Sequence, residues 1–482
     1  MNLRKVASLV LALMLIFTAL SGCGNEQQGE KHTENANQQI AGGSDIDGDE
    51  TNAPVVGDGK IVFMGWTNAT EKRAYQRAIE QFEKLYDCEV EYIPVGVNEY
   101  ETKLTSMLSA DSMSGQCSVD VFYVPNGRAW NLAVSGHIEN LQPFVDADDS
   151  FNMEDYWFEA GYAQYMLNLK DDIVGEGDLY AFPKDVGPWG LVYNKTLFAQ
   201  YGIEAPTWDD PWTWDDLIAM ADKVDNRNGN PSVKRDTWLL GGADLEQVIY
   251  SYGASYLSTD RKSIAIDTPE FKTAIQKIVE MIKAGVTPNS DEVSALDPYT
   301  RWVNGKIGIY YIGPWDIVTY TDYLNFEWDY LPLIAGPNGT QATTWGYMGL
   351  GVSSRSTDKK LAYEFAKFLS TNEDCQRTMY KMGQIVPNNI AMAKGEFIDF
   401  YIDKQPGVES WIKILDEFGR TGETIFTPTS SWYEPYETLI GKVFEGSMSV
   451  DEFVAQVKPE MQKELDIAWN DLAELKSQLG LG

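Results

Sequence analysis

Histidine and cysteine are scarce in this sequence, and their scarcity excludes several kinds of catalytic and metal site. The 482 residues include two histidines, His32 and His137, and four cysteines. Histidine triads and zinc sites need these side chains in groups, and no CxxC pair is present. The sequence also lacks a Walker phosphate loop, a nucleophile elbow and a dinucleotide fingerprint. We therefore expect no cofactor and no metal.

Basic residues are also few. The chain has 38 Lys and Arg against 72 Asp and Glu, for a formal net charge of −34. Such a surface repels polyanions, so nucleic-acid binding is excluded as a function. Hydrophobic residues make up 44% of the chain, which is enough for large cores. The length exceeds that of one ordinary core, so about two domains are expected.

A long apolar run occurs at the amino terminus. Arg4 and Lys5 precede about a dozen apolar residues and then small residues, which is the layout of a secretory signal. The run is too short for a permanent membrane-spanning helix. The segment "LSGC", ending at Cys23, resembles the lipobox of bacterial lipoproteins. The resemblance implies a signal peptide over residues 1–22 and an acylated Cys23, with palmitate among its chains, that anchors the protein to the outer face of the cell membrane. A plain signal peptide or an uncleaved anchor is the alternative.

Residues 23–57 contain almost no large apolar side chains and are rich in Gly, Asn, Gln and acids. This composition predicts a flexible spacer. The stretch "DIDGDE" within it does not form a calcium loop, because its Gly is misplaced and Val56 stands where a closing Glu is needed.

Three cysteines remain beyond Cys23, namely Cys88, Cys117 and Cys375. An odd number leaves at least one thiol unpaired within the chain. The sequence does not decide whether Cys88 and Cys117 pair, and buried free thiols are the simpler interpretation.

The folded part begins with an alternation of strands and helices. The runs "KIVFMGW", "EVEYIPV" and "VDVFYVP" predict strands, and an amphipathic helix follows the first of them, with Asn68 and Glu71 spaced as its cap. Farther on, Thr213 and Asp216 are spaced as a capping box, and another helix is predicted to begin near Pro269 and to end at Gly285. Strands alternating with helices indicate an α/β fold.

An ordered series of motifs then identifies a family. The motifs are "YAFPKDVGPWGLVYNKTLFAQYGI", "TWDDL", "VNGKIGIYYIGPW", "LPLIAGPNGT", "WGYMGLGVSS" and "KKLAYEFAKFLST". In this order they resemble the extracellular solute-binding proteins, family 1, of ABC importers, and most closely the carbohydrate binders related to maltose-binding protein. The resemblance covers residues 60–470.

The resemblance implies a two-lobed α/β fold, like that of periplasmic binding proteins, with a hinged cleft between the lobes. Lobe 1 would contain residues 60–183 with 328–378, and lobe 2 would contain residues 184–327 with 379–482. The chain would cross between lobes near residues 182–187 and again near 327–332.

The resemblance also implies a function. The protein would be the lipid-anchored, extracellular component of an ABC sugar importer, acting as a monomer and without catalysis. It would capture a mono- or oligosaccharide by lobe closure and deliver it to the transmembrane subunits of the permease.

The segment "GKIGIYYIGPWD" suggests how a sugar would be held. A strand ends at Gly-Pro and is followed by Trp315 and Asp316. A sugar ring has an apolar face of C–H groups and an edge of hydroxyls, so an indole can stack on the face while a carboxylate accepts from the edge. In the family, the segment that matches "GPW" brings an aromatic ring to the cleft wall, and Trp315 fits that position.

Position along the family pattern selects the other candidates. A Trp next to Gly or Pro at a strand end is favoured as a ligand platform over a Trp that packs in a core. The aromatic candidates are Trp66, Trp189, Trp345 and Trp432, with Trp130 and Tyr433 as second choices, and Trp157, Trp208 and Trp328 are assigned to packing. The polar candidates are Asn68, Glu71, Asn126, Arg128, Asp185 and Glu246. Each carboxylate is equally well explained as a helix cap or as part of a solvated face.

Other functions remain open at this stage. A glycoside hydrolase needs two carboxylates about 5 to 9.5 Å apart across the sugar, and no spacing singles out such a pair. Within binding proteins the ligand could be a polyol, a peptide or a ferric ion, the last through Tyr310 and Tyr311, although their run reads more simply as a strand. A surface adhesin without a transport role is a further alternative.

Overall fold

The computed structural model describes residues 59–66, 69–125, 127–227, 229–230, 232–242, 244–346 and 348–480. The expected signal peptide, the expected lipidation site Cys23 and the expected spacer lie outside the described residues, as do Asn68 and Asn126. None of the helices in the described ranges is both long enough and apolar enough to cross a bilayer.

The strands are short and belong to four sheets. In chain order they are β1 Lys60–Trp66, β2 Glu89–Val95, β3 Val121–Pro125, β4 Met166–Asn168, β5 Ile173–Val174, β6 Asp178–Leu179, β7 Ala181–Pro183, β8 Gly187–Pro188, β9 Gly190–Asn194, β10 Trp238–Leu240, β11 Ile307–Ile312, β12 Trp328–Leu331, β13 Thr343–Gly346, β14 Met348–Val352 and β15 Gly419–Arg420.

The α-helices lie between these strands and after them. They are α1 Ala69–Tyr86, α2 Val97–Ser114, α3 Ala129–Val134, α4 Gln142–Asp146, α5 Lys195–Tyr201, α6 Trp214–Met220, α7 Leu245–Ser251, α8 Pro269–Ala284, α9 Ser290–Ala295, α10 Pro298–Val303, α11 Ile317–Tyr323, α12 Lys359–Thr371, α13 Glu373–Lys381, α14 Ile390–Met392, α15 Ile398–Tyr401, α16 Ser410–Lys413, α17 Glu434–Phe444 and α18 Val450–Leu479. Short 3₁₀ or π turns occupy Met153–Asp155, Phe158–Tyr162, Ala163–Tyr165, Ala221–Val224, Pro314–Asp316, Ala393–Phe397, Pro406–Glu409, Ile414–Phe418, Glu423–Phe426 and Ser431–Tyr433.

A five-stranded sheet has the order β2-β1-β3-β14-β7. Strands β1, β2 and β3 are parallel, and β14 runs antiparallel to both β3 and β7. Strand β3 is buried along its whole length, as expected for an apolar run in a sheet covered on both faces. Helices α1 and α12 cover this sheet, where the Phe365 ring lies 4.9 Å from Phe82 and 5.3 Å from Phe63. These contacts build the first hydrophobic core.

A four-stranded sheet has the order β10-β11-β9-β12. Strands β10 and β11 are parallel, whereas β11 and β12 both run antiparallel to β9. Leu191, Leu240, Ile309 and Leu331 from its strands are buried in a second core. The fold is therefore a mixed α/β structure with two main sheets.

The chain passes between the two main sheets within a few residues. Residues 184–189 separate β7 of the five-stranded sheet from β9 of the four-stranded sheet. The return lies later than residues 327–332, because β12 still pairs with β9 and the chain joins the five-stranded sheet only at β14. Strand β8 of the first passage, β13 just before β14, and β15 from farther along the chain form a small three-stranded sheet, which we term the crossing sheet.

Local patterns in the sequence correspond closely to the elements. Strands β1 and β2 have the predicted bounds. The capping box of Thr213 and Asp216 opens α6, with the Thr213 hydroxyl 2.7 Å from the Asp216 carboxylate. Helix α8 begins at Pro269 and is capped by Gly285. All three cysteines of the described region are free thiols; Cys375 is buried, and Cys88 and Cys117 are half-buried.

Candidate functional site

The first group of candidate residues lies at one edge of the five-stranded sheet. Strands β1, β3 and β7 point the same way, so their carboxyl ends, at Trp66, Pro125 and Pro183, share that edge. Ligands of α/β proteins bind outside the carboxyl ends of such strands. The residues that continue from these ends include the first turn of α1 and the pair Lys184 and Asp185.

The second group lies at an edge of the four-stranded sheet. Parallel strands β10 and β11 end at Leu240 and Ile312, and Ile312 pairs with Gly190 at the start of β9. Residues 241–242, 244–246, 313–316 and 189 therefore gather at this edge. Because residues 184–189 connect β7 directly to β9, the two edges meet at the crossing sheet.

Trp315 occupies the junction of these edges. Its indole is half-buried and lies edge-to-face with Trp189, at 5.1 Å between ring centroids and an interplanar angle of 87°. The ring rests on the backbone of the crossing sheet, where Gly187 pairs with Gly346. A Cβ at either glycine would lie 2.9 Å from a ring carbon of Trp315, closer than ordinary contact. Glycine at both positions thus makes room for the indole.

Asp316 acts first as a structural cap. It accepts a hydrogen bond of 3.2 Å from the backbone N–H of Gly313 and so closes the turn that follows β11. Burial raises the pKa of this carboxyl to about 6. The side chain is half-buried next to Trp315.

A set of acidic side chains surrounds the start of α7. Asp244 caps this helix by accepting from the N–H of Glu246 at 3.0 Å. The Tyr311 hydroxyl fixes the preceding loop, since it accepts from the N–H of Asp244 at 2.6 Å and donates to the carbonyl of Gly242 at 2.7 Å. Tyr311 therefore has a structural role at the edge, whereas the neighbouring Tyr310 stacks on Trp302.

Two glutamates at or near the start of α7 have raised pKa values. Burial, and then the charges of Asp244 and Glu423, raise the pKa of Glu246 to about 7. Burial likewise raises the pKa of Glu423 to about 7, although its carboxylate accepts from the Leu257 N–H at 2.6 Å. Sequence reasoning missed Glu423, because nothing distinguishes this loop acid from the other carboxylates until the fold brings it to Glu246.

Glu71 and Asp185 lie together on the other edge. Glu71, in the first turn of α1, and Asp185 are both buried. The ammonium group of Lys184 lies between them, 3.3 Å from Glu71 Oε1 and 2.9 Å from Asp185 Oδ2. Lys184, which the sequence did not single out, thus joins two predicted site residues.

Trp66 and Arg128 have different surroundings. Trp66 is half-buried and meets Tyr100 and Tyr123 edge-on, at 5.6 and 6.2 Å between centroids. Arg128 is exposed and forms an ion pair with Glu101 at 2.7 Å. Trp66 thus lies at the strand end as expected, and Arg128 is engaged by a surface partner.

Three other tryptophan candidates are buried in this conformation. Trp345 is 4% exposed, and its indole packs on Gly419 and donates to Thr421 at 3.2 Å. Trp432 is fully buried and donates to Thr427 at 2.8 Å. Trp130, a second choice, is 4% exposed. These rings present no face on which a ligand could stack.

Tyr433, the other second choice, lies near the acidic side chains at the start of α7. Its half-buried ring stacks on Tyr436 at 5.1 Å, and its hydroxyl lies 3.3 Å from that of Tyr256. The charge of Glu246 acts on Tyr433, which places the two side chains near each other. No cluster of His, Cys, Asp and Glu in the described residues could hold a metal ion.

Comparison with known proteins gives a consistent family. A model of the bacterial extracellular solute-binding protein family matches residues 66–374. A putative binding protein of Brucella abortus is 25% identical over 271 residues, which cover 55% of this chain and 63% of that protein. The sn-glycerol-3-phosphate-binding periplasmic protein UgpB of Agrobacterium fabrum is also 25% identical over 271 residues, covering 54% of this chain and 58% of UgpB. The chain thus spans less than two thirds of the length of these curated relatives.

Solved structures share the fold over nearly the whole chain. The ABC substrate-binding protein Lmo0181 from Listeria monocytogenes, solved in complex with cycloalternan, superposes with a TM-score of 0.70. The match covers 84% of this chain and 99% of Lmo0181 at 21% sequence identity. The superposition shows that the two proteins share a two-domain fold.

Proposed function

Because the chain belongs to the bacterial extracellular solute-binding proteins, we propose that it captures a neutral mono- or oligosaccharide outside the cell and delivers it to the transmembrane subunits of an ABC permease. The observation that carries this proposal is the pair Trp189 and Trp315 at the junction of two strand edges, with carboxylates on both sides. An indole face suits the C–H face of a sugar, and carboxylates accept from its hydroxyls. Trp66, Glu71, Asp185, Glu246 and Glu423 complete the proposed site.

The charge of this region favours a neutral ligand over an anionic one. Glu71 and Asp185 share one cation, Lys184, and Asp244 lies near α7 beside Glu246 and Glu423, each of which is about half ionised at pH 7. A phosphate brought among these acids would be repelled. Although one relative binds sn-glycerol 3-phosphate, we therefore place an uncharged carbohydrate ahead of a sugar phosphate.

Closure of the two lobes would complete the capture. Residues 184–189 and the segment from β13 to β14 are the connections that would bend, with the lobes lying on either side of the crossing sheet. A ligand that contacts both edges stabilises the closed form by its higher affinity for that form. The closed form would then dock on the permease, and reopening would release an unaltered sugar.

Tethering at Cys23 belongs to the same proposal. Acyl chains on this residue would hold the protein at the outer face of the cell membrane, with residues 24–57 as a spacer. Substitution Cys23→Ser is expected to release the protein from the membrane fraction and to abolish labelling by palmitate. Retention of both properties would contradict the anchor.

A thermal-shift panel tests the proposed ligand class. The panel contains maltose, maltotriose, cycloalternan and sn-glycerol 3-phosphate. A neutral sugar at 100 times its Kd stabilises the fold by about 2.7 kcal/mol, and the phosphate is expected to give no shift. Chromatography of the incubated sugar should recover it unchanged. Stabilisation by the phosphate alone, or hydrolysis of a sugar, would overturn the proposal.

Substitution Trp315→Ala tests the platform. Covering about 80 Å² of indole contributes about 2 kcal/mol, so Kd for the bound sugar should rise about thirtyfold. Trp328→Ala is the matched control, because Trp328 is also half-buried but packs against Tyr320 and Tyr330 at the opposite end of β9. Equal losses in the two variants would argue against a ligand contact at Trp315.

A further inference from the structure

Lys184 is a buried cation at the point where the chain leaves the five-stranded sheet. It is 8% exposed and lies between β7 and β8. Its backbone is fixed on two sides, since its N–H donates to the Met348 carbonyl at 2.7 Å and its own carbonyl accepts from the Asn388 side chain at 3.4 Å. The direction of the side chain is therefore set by the sheet.

The ammonium group of Lys184 faces charged and titratable groups from three elements. Asp185 follows it on the crossing segment, at 2.9 Å, and Glu71 on α1 lies at 3.3 Å. Tyr75 on α1 is a further neighbour, and the Tyr123 ring of β3 lies with its centroid 5.8 Å from Nζ. A single ammonium group thus forms ion pairs with two buried carboxylates.

The energetic role of Lys184 follows from this arrangement. Two carboxylates buried in one site repel each other, and a cation held between them offsets that repulsion. Burial acts to lower the pKa of Lys184, but the charges of Asp185 and Glu71 raise it well above its ordinary value. The cation is therefore present at every physiological pH.

We propose that Lys184 is a positioning residue for ligand binding, which holds Glu71 and Asp185 fixed in direction so that both accept from ligand hydroxyls. This inference rests on the proposed function, and it adds a residue that does not itself touch the ligand. Lys184 links the first turn of α1 to the crossing segment directly after β7.

The test compares Kd between pH 5.5 and pH 8 in the full-length protein and in Lys184→Met. The probe is the member of the maltose, maltotriose and cycloalternan panel that binds the wild type most tightly. Without the cation, the two carboxylates repel each other, and this repulsion favours the uptake of a proton, which weakens one acceptor for the ligand. The ratio of the Kd of the variant to that of the wild type should then be about tenfold at pH 5.5 and fall steadily towards pH 8.

Two further variants separate positioning from structural damage. Lys184→Met combined with Glu71→Gln leaves one carboxylate, so its Kd ratio should no longer change with pH. Lys476→Met is the matched control, because Lys476 is a buried lysine, paired with Asp172 at 2.8 Å, on α18. This control should lower the melting temperature and leave Kd unchanged at both pH values.

The outcomes are distinct. A Kd ratio for Lys184→Met that is the same at pH 5.5 and pH 8 would overturn the positioning role, as would a pH trend that persists in the double variant. If the wild type binds no sugar of the panel, the proposed function fails first, and the inference fails with it. Binding by the wild type with a flat ratio in the variant overturns the inference alone.

Discussion

Replacement of Gly346 by alanine should weaken sugar binding although this residue offers a ligand no side chain. A Cβ at Gly346 would lie 2.9 Å from Cη2 and 3.3 Å from Cζ3 of Trp315, and 3.2 Å from the carbonyl oxygen of Gly187. Carbon atoms in contact normally lie about 3.5–4.0 Å apart, so the indole must move by about 0.6–1 Å. The backbone of Gly187 cannot yield as easily, because it belongs to the crossing sheet.

The displacement of the indole sets the expected losses of unfolding free energy and of sugar affinity. Overpacking of this kind costs about 1–3 kcal/mol of unfolding free energy. A sugar stacked on the other face of the indole would lose part of its contact, about 1–2 kcal/mol, so Kd should rise about five- to thirtyfold. Calorimetric titration with the tightest-binding sugar measures Kd, and thermal unfolding measures stability.

Gly441→Ala is the control for this experiment. Gly441 lies inside α17, and no atom lies within 4 Å of the Cβ position. Alanine there should raise the unfolding free energy by about 0.5–1 kcal/mol through helix propensity and leave Kd unchanged. A folded Gly346→Ala protein with the Kd of the wild type would refute the placement of the ligand against Trp315.

Two further predictions concern the edge at α7. The pKa of Glu246 is raised from 4.5 to about 7, so its contribution to stability is fully present below pH 4.5 and is lost as the pH rises through 7. The wild type should therefore lose unfolding free energy between pH 5.5 and pH 8 as Glu246 ionises. In Glu246→Gln this loss should be about 2 kcal/mol smaller, measured by denaturant titration at both pH values. A loss equal to that of the wild type would contradict the raised pKa. Tyr311→Phe removes the hydroxyl that is hydrogen-bonded to the backbone of Asp244 and Gly242. It should lower the unfolding free energy by about 1–3 kcal/mol and weaken sugar binding. Wild-type stability in this variant would show that the loop does not depend on these two hydrogen bonds.

Much of the fold follows from local sequence. The bounds of β1, β2 and α8 were predictable because they depend on residues next to one another: apolar runs, a proline at the helix start and a glycine at its end. The two-domain fold was predicted from an ordered series of motifs, and the solved structures confirm it. The second passage between sheets was misplaced, since only the pairing of β12 with β9 shows which sheet that strand joins.

The site was predictable in part, and the limit was long-range packing. Trp315 and Trp189 were selected because each adjoins a Gly or Pro at a strand end, and the structure brings them together. The preference for a Trp beside Gly or Pro at a strand end also selected Trp345. This ring is buried because it packs on Gly419 and donates to Thr421, which lies 76 residues after Trp345 in the chain. Lys184 could not be selected, because its importance arises only when α1 carries Glu71 to it.

The position of β14 has a consequence for biosynthesis. This strand lies between β3 and β7, yet it comes from residues 348–352, far beyond β3 at residues 121–125. At ribosomal rates of about 5–20 residues per second, the edge of β3 that pairs with β14 stays unpaired for about 10–45 s. Until then the flanking strands expose unpaired edges and the first core cannot close. A nascent chain whose first sheet stays incomplete for so long depends on a chaperone to shield those edges from aggregation.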